Sequence, residues 1–364
     1  MPELNKPKEL LFIVLKITAL LFLLYSFLLS IELMGASFKL FGKDFADQLM
    51  QMTSSPLVGL FVGVLVTSLV QSSSTVTSLV VGMVAVGALS VENAIPVIMG
   101  ANIGTSVTNS IVSIGSIGRR EEFKAAFAAA TIHDYFNILA VIILLPIQAS
   151  FNFLGIISTK VSSLLMGSQG LTFNSPLKMI IKPTVHFVIE FFDKHAVLIL
   201  IFAFAILMLA LKYIVTVLKS LVLNKAESFF DRYIFKTVPR AVFFGIILTV
   251  MVQSSSVTTS LVVPLVGAGI LNLRQIYPFT IGANIGTTVT AFLASLVTGE
   301  ISAVTVAFAH FFFNVFGGII IFSIPFLKNI PIILATTMSS IVYRHRWVAF
   351  VYVGVMFFAI PLIT

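Results

Sequence analysis

Two short polar clusters stand inside stretches that are otherwise apolar. The first lies in LVQSSSTVTSLVV, residues 69–81, and the second in MVQSSSVTTSLVV, which begins 182 residues later. A helical pattern resumes after each cluster, so Ser73/Ser74 and Ser255/Ser256 are expected at helix N-caps, where N–H groups and hydroxyls attract an anion without a fixed cation. We predict a phosphate-sized cage where two such helix ends meet, and its candidate residues are Gln71, Ser72, Ser73, Ser74, Thr75, Gln253, Ser254, Ser255 and Ser256.

A second pair of motifs supplies neutral oxygen atoms. IMGANIGTSVTNSIVS at residues 98–113 corresponds to TIGANIGTTVTAFLAS at residues 280–295, again 182 residues later. Their glycines are expected to interrupt the helix and expose carbonyls beside Asn102, Thr105, Asn284 and Thr287, which would suit a sodium ion. Sodium would also offset the charge of an anion held near Asn102 and Asn284, because neither block contains Lys or Arg. The structural alternative is that the small and hydroxyl residues mediate close helix packing.

Ionisable side chains follow at a third pair of positions. TIHDYFNIL at residues 131–139 corresponds to AFAHFFFNVF at residues 307–316, which pairs His133 with His310 and Asn137 with Asn314. Each histidine either bonds to a neighbouring helix or relays protons. Asp134 is a carboxylate in an apolar span without an adjacent cation, so it must be protonated, solvated or bound to an ion. We favour a bound cation.

The composition is that of an all-α polytopic membrane protein. Of the 364 residues, 58% are hydrophobic and 10% charged, and the mean hydropathy is +1.09. We attribute the net charge of +8 to Lys and Arg at cytoplasmic helix ends, and expect no nucleic-acid partner. The absence of cysteine excludes disulfides and thiolate chemistry. Apolar runs of the ~20 residues that cross a bilayer lie near residues 10–34, 94–118, 121–148, 195–222, 275–297, 301–326 and 347–362.

The repeats divide the chain into two homologous halves. The segments around the QSSS clusters, about 56–90 and 239–271, are too long for one crossing, since 35 helical residues would measure ~52 Å against ~30 Å of hydrocarbon. We predict that each is a re-entrant helical hairpin. Three crossings and a hairpin in each half would give inverted-topology repeats, each with an interrupted helix. We expect the N-terminus of the chain in the cytoplasm and its C-terminus outside. The predicted units are residues 10–150, a connector at 151–192, residues 193–328, and an interfacial stretch with a last transmembrane helix at 329–364.

The paired QSSS and GANIGT blocks, followed by RREEFKAAFAAATIHDYFNILAVIILLP at residues 119–146, resemble the type II sodium-dependent phosphate cotransporter family. The resemblance covers most of residues 55–325, and it implies that the QSSS hairpins line the substrate site. It also implies that the position of Asp134 is associated with an extra cation and electrogenic transport. The candidate sodium ligands are Asn102, Thr105, Asp134, Asn137, Asn284, Thr287, Thr288, Thr290 and Asn314.

The resemblance implies a secondary-active symporter that imports inorganic phosphate with sodium across the cell inner membrane. We expect no catalytic residues and no cofactor beyond the co-transported sodium. We expect a bacterial-type member, because the connector is short and contains no cysteine. The sequence also ends at Thr364 without the PhoU-like domain that some relatives carry. A sodium-coupled symporter of arsenate or sulfate is the main alternative. A membrane-embedded hydrolase fits less well because no base adjoins QSSS. The oligomeric state stays open, with a homodimer included.

Overall fold

The computed structural model describes residues 6–166, 176–222 and 234–363, and every regular element within them is helical. The all-α class predicted from composition is therefore confirmed for the described residues. Part of the predicted connector, residues 167–175, lies outside them. The helices of the first half and the described connector are α1 (Lys6–Phe41), α2 (Lys43–Met52), α3 (Pro56–Val70), α4 (Ser73–Ala85), α5 (Val91–Thr105), α6 (Val107–Ile114), α7 (Arg120–Phe151), α8 (Phe153–Met166) and α9 (Pro176–Phe191).

In the second half the two short helices of the hairpin recur with the same lengths, 15 and 13 residues. This half contains α10 (Ala196–Val222), a 3₁₀ turn (Ile234–Lys236), α11 (Val238–Val252), α12 (Ser255–Gly267), α13 (Leu273–Thr298) and α14 (Ile301–Ser323). After it come α15 (Pro325–Arg344), α16 (Val348–Gly354), a π-helical stretch (Val355–Ala359) and α17 (Ile360–Ile363).

Seven helices of the described residues are long and apolar enough to cross a membrane. They coincide with six of the expected crossings, but the last one differs. It is Pro325–Arg344, while residues 348–363 form only a shorter apolar helix. The hydroxyl groups of this predicted interfacial stretch bond to carbonyls of their own helix, as Thr336 Oγ1 does to Ile332 O at 2.8 Å. Their polarity is thus satisfied inside the helix.

Glycines fix how each hairpin packs against the helix that follows it. A Cβ on Gly63 would collide with the Val97 carbonyl, and one on Gly100 would collide with the Leu60 carbonyl. The close contacts run from Gly59 against Pro96 at one end to Gly104 against Thr67 at the other, so α3 and α5 run in the same direction. The helix that connects them, α4, therefore runs in the opposite direction. The same arrangement recurs between α11 and α13, where Gly282 lies against the α11 backbone. The QSSS clusters therefore lie at the tips of two similar helical hairpins.

Two apolar cores hold the halves together. One joins α4 and α5 to α10, α13 and α14, and the other joins α6 and α7 to α11, α12 and α13. Large buried side chains such as Phe127, Tyr277 and Phe313 fill the second core. Because each core takes residues from both halves, the two hairpin tips are positioned by contacts between the halves.

Candidate functional site

Each QSSS cluster forms a tight turn between two helices. Gln71 and Gln253 adopt the left-handed conformation, with φ of 58° and 55°, and each ends the first arm of its hairpin. The following Ser72 and Ser254 are the N-caps of α4 and α12, and their hydroxyls accept hydrogen bonds from Thr75 N at 3.2 Å and Val257 N at 3.3 Å. The predicted N-caps were thus one or two residues too late.

The two tips share one cavity of about 450 Å³. Ser74 Oγ makes no hydrogen bond with the described residues, so it is free to donate to a ligand there. Ser73, Ser255 and Ser256 are buried but are not among the cavity's lining residues. The described lining consists of Val70, Gln71, Ser72, Ser74, Thr75, Met208, Leu209, Leu211, Lys212, Thr216, Gln253, Ser254 and Val257. Sequence analysis missed the residues from α10, because no motif marks them.

The two tips differ in how their glutamines are held. Gln253 Nε2 donates to Val250 O at 2.6 Å, and its Oε1 accepts from Thr290 Oγ1 at 2.9 Å. Gln71 is exposed and makes no such bonds with the described residues. Thr108, which corresponds to Thr290, has a buried hydroxyl without a described partner. The hydroxyl of Thr290, a predicted sodium ligand, is therefore committed to the second tip.

The GANIGT asparagines cross between the halves. Asn284 of the second half bonds to two residues of the first: its Nδ2 donates to Asn137 Oδ1 at 2.7 Å, and its Oδ1 lies 2.7 Å from His133 Nε2. Both bonds are fully buried. Since a buried amide without partners costs free energy, this set of bonds favours one relative arrangement of the halves.

The reciprocal set joins the first half to the second. Asn102 Nδ2 donates to Asn314 Oδ1 at 2.8 Å, and Asn102 Oδ1 lies 3.1 Å from His310 Nε2. Asn137 Nδ2 links the sets by donating to Asn102 O at 2.8 Å. Asn102, Asn137 and Asn314, all predicted to hold sodium, therefore use their side chains in bonds between helices. The histidines bond across the halves, as the first of the two interpretations proposed.

The glycines do not interrupt both helices as predicted. A break occurs only in the first half, where α5 ends at Thr105 and α6 begins at Val107, whereas α13 is continuous. The prediction of an interrupted helix is wrong for the second half, because Gly282 and Gly286 instead allow α13 to pack directly on α11. Three predicted sodium ligands donate to carbonyls of their own helix: Thr105 to Ala101 O, Thr287 to Ala283 O, and Thr288 to Ile285 O.

Asp134 is fully buried beside the break between α5 and α6. Its Oδ2 accepts a hydrogen bond from Tyr352 Oη at 2.9 Å. The hydroxyls of Ser106 and Ser110 lie beside the carboxylate, but neither Asp134 Oδ1 nor Ser110 Oγ makes a well-aligned hydrogen bond with the described residues. The described chain contains no cluster of three His, Cys, Asp or Glu side chains, so a cation here would be held by one carboxylate and neutral oxygens.

Asn109 is a further residue that sequence analysis missed. Its Oδ1 accepts from Thr259 Oγ1 at 2.9 Å and from Ser260 Oγ at 3.2 Å, both on α12, and its Nδ2 lies 3.3 Å from His133 Nδ1. It therefore joins the second hairpin to α7. Its position within SVTNSIVS corresponds to Ala291, so the repeat offered no signal for it.

Several known proteins are similar in sequence to this chain over nearly its whole length. Sodium-dependent phosphate transport protein 2B from Homo sapiens is 33% identical over 445 aligned residues, which cover 95% of this chain and 64% of that protein. The 2B protein from Pongo abelii gives 33% identity over 444 residues with the same coverage. Sodium-dependent phosphate transport protein 2A from Rattus norvegicus is 33% identical over 425 residues, 95% of this chain and 67% of that protein.

The chain thus spans about two thirds of the length of these curated relatives. No solved structure gives a significant match. The family model described as Na+/Pi-cotransporter matches residues 26–172 and 206–364, which include both hairpins and both GANIGT blocks. These matches cover most of the sequence, and the chain therefore belongs to the Na+/Pi-cotransporter family.

Proposed function

We propose that this protein is a secondary-active symporter that imports inorganic phosphate with sodium. One observation carries the proposal: the two QSSS tips, with their helix N-termini, line a single cavity. The family and the names of the curated relatives support the same substrate and coupling ion. As a carrier, the protein would undergo a change of conformation and perform no covalent chemistry.

The cavity has the chemistry of an oxyanion site. The first backbone N–H groups of a helix have no partner within it, and Ser72 and Ser254 each satisfy only one such group in α4 and α12. The remaining N–H groups and the free Ser74 hydroxyl can donate to phosphate oxygens. At about 450 Å³ the cavity exceeds the ~30 Å³ that one water occupies in the liquid, so a phosphate could carry part of its hydration shell.

We further propose that the halves are inverted repeats and that the hairpins are re-entrant. The reciprocal bonds of Asn102 and Asn284 are what a pseudo-two-fold axis between the halves would produce. The hairpin arms are short: α3 and α11 have 15 residues, and α4 and α12 have 13. A 15-residue helix spans ~22 Å, less than the ~30 Å of hydrocarbon. We also propose that the protein lies in the cell inner membrane, with its N-terminus in the cytoplasm and its C-terminus outside.

For sodium, Asp134 has the strongest support. The buried Asp134 carboxylate lies beside the hydroxyls of Ser106 and Ser110, and its Oδ1 makes no well-aligned hydrogen bond with the described residues. Oδ1 and the Ser110 hydroxyl could therefore supply two hard oxygen ligands for a monovalent cation. Binding there would relieve the cost of an uncompensated charge at membrane depth. The remaining ligands predicted from GANIGT would first have to give up the helix or inter-half bonds that they make here.

Transport into proteoliposomes tests the proposed function. We expect radiolabelled phosphate to accumulate under an inward sodium gradient and not under an equal potassium gradient. Excess unlabelled phosphate should compete more strongly than arsenate or sulfate. No sodium-dependent accumulation would refute the proposal, and stronger competition by arsenate or sulfate would assign the site to that oxyanion.

A further inference from the structure

A third wall of the cavity belongs to neither hairpin. It is contributed by α10, and among the described lining residues Lys212 is the only charged one. No carboxylate of the described residues pairs with its ammonium, whose described contact is the ring of Tyr213 at 5.9 Å. Among the described residues, the cavity is therefore bordered by an exposed lysine that has no anionic partner.

The face of α10 that carries Lys212 also contacts the first tip. Thr75 Oγ1, in the first turn of α4, lies 3.6 Å from Met208 Sδ. Residues four apart lie on the same face of a helix, so Met208, Lys212 and Thr216 form one stripe. All three line the cavity. Lys212 is thus one helical turn from the contact between α10 and the N-terminus of α4.

Apart from Lys212, no described residue that lines the cavity carries a full positive charge. A helix N-terminus carries roughly half an elementary charge, so the two tips together supply about one unit. Dibasic phosphate carries two negative charges. Neither QSSS cluster contains a basic residue, and the predicted compensation therefore came from sodium alone. Lysine binds phosphate as a point charge and does not require the planar geometry that arginine imposes.

We propose that Lys212 is the fixed cation of the phosphate site, which attracts the anion into the cavity and balances part of its charge. This inference rests on the proposed function, because it concerns the same cavity. A simpler role is that Lys212 lies near the end of a membrane-spanning helix, since the candidate span among the described residues is Ala196–Ile214. The two roles differ in one measurable respect: only the first changes phosphate affinity.

The test is phosphate binding to the purified protein in detergent, where both faces are accessible, at saturating sodium. We expect Lys212→Gln to raise the Kd about 3- to 10-fold, and Lys212→Arg to stay near wild type, because the effect follows charge at the rim of a site. Added salt should weaken binding by wild type more than by Lys212→Gln. Lys212→Met, which keeps the apolar part of the side chain, provides a second neutral variant should Lys212→Gln fold poorly.

Lys124→Gln is a matched control. Lys124 also lies over a tyrosine ring, 5.3 Å from the centroid of Tyr343, but it does not line the cavity. We expect its Kd to be that of wild type. A Kd for Lys212→Gln and Lys212→Met equal to that of the control would overturn the inference and leave the proposed function intact. A wild-type protein that binds no phosphate would overturn both.

Discussion

Ser74 provides a direct test of the anion site, because its hydroxyl lines the cavity and bonds to no described residue. Ser74→Ala removes one oxygen from the first turn of α4 and leaves the N-cap, Ser72, unchanged. We therefore expect little change in stability. If the hydroxyl donates to phosphate, the lost hydrogen bond to a charged ligand corresponds to ~1.5–3 kcal/mol, or about 10- to 100-fold in Kd.

Calorimetric titration with phosphate at saturating sodium measures the affinity, and thermal unfolding measures the stability. Ser78→Ala is the matched control. Ser78 lies one turn further along α4 and does not line the cavity, and its buried hydroxyl also makes no hydrogen bond with the described residues. Both variants should unfold at the wild-type temperature. An unchanged Kd for Ser74→Ala, or an equal loss in both variants, would refute the placement of phosphate at the first tip.

Other substitutions test the cation site, the bonds between the halves, the packing and the topology. Asp134→Asn should still transport phosphate but respond little to membrane potential, because one positive charge fewer would accompany each anion; uptake at potentials set with potassium and valinomycin measures this. Asn284→Ala leaves two buried partners unpaired at ~1–3 kcal/mol each, so its unfolding temperature should fall. Gly282→Ala places a Cβ against the α11 backbone and should cost ~1–3 kcal/mol in the free energy of unfolding. Cysteines at Asp44 and Arg240 should react with an impermeant thiol reagent from opposite faces of the membrane, and labelling from one face would contradict inverted repeats.

The parts of the site that repeat within the sequence could be predicted. The duplicated QSSS cluster marked both hairpin tips, because hydroxyl residues in an apolar stretch need partners and the helix N-terminus supplies them. The N-caps were misplaced by only one or two residues, since consecutive serines are equivalent in propensity. The repeats also pointed to His133, His310, Asn102 and Asn284, but not to the hydrogen bonds that join these histidines to these asparagines.

The parts that depend on packing could not be predicted. Glycines such as those in GANIGT can either interrupt a helix or let two helices pack closely. In α13 the contact of Gly282 with the α11 backbone shows that they serve close packing. The cavity wall formed by α10 arises from contact between distant segments and carries no motif. Tyr352 reaches Asp134 over 218 residues of sequence, a distance at which periodicity gives no information.

The difference between the two GANIGT helices has a mechanical consequence. In the first half the helix is interrupted at Ser106, whose N–H bonds to Ile103 O at 3.2 Å in place of a regular bond four residues back. The continuous α13 has no such interruption, and bending it would break bonds between successive turns. Since Asp134 and Ser110 adjoin the interruption, a cation that binds there would hold α5 and α6 in one relative orientation.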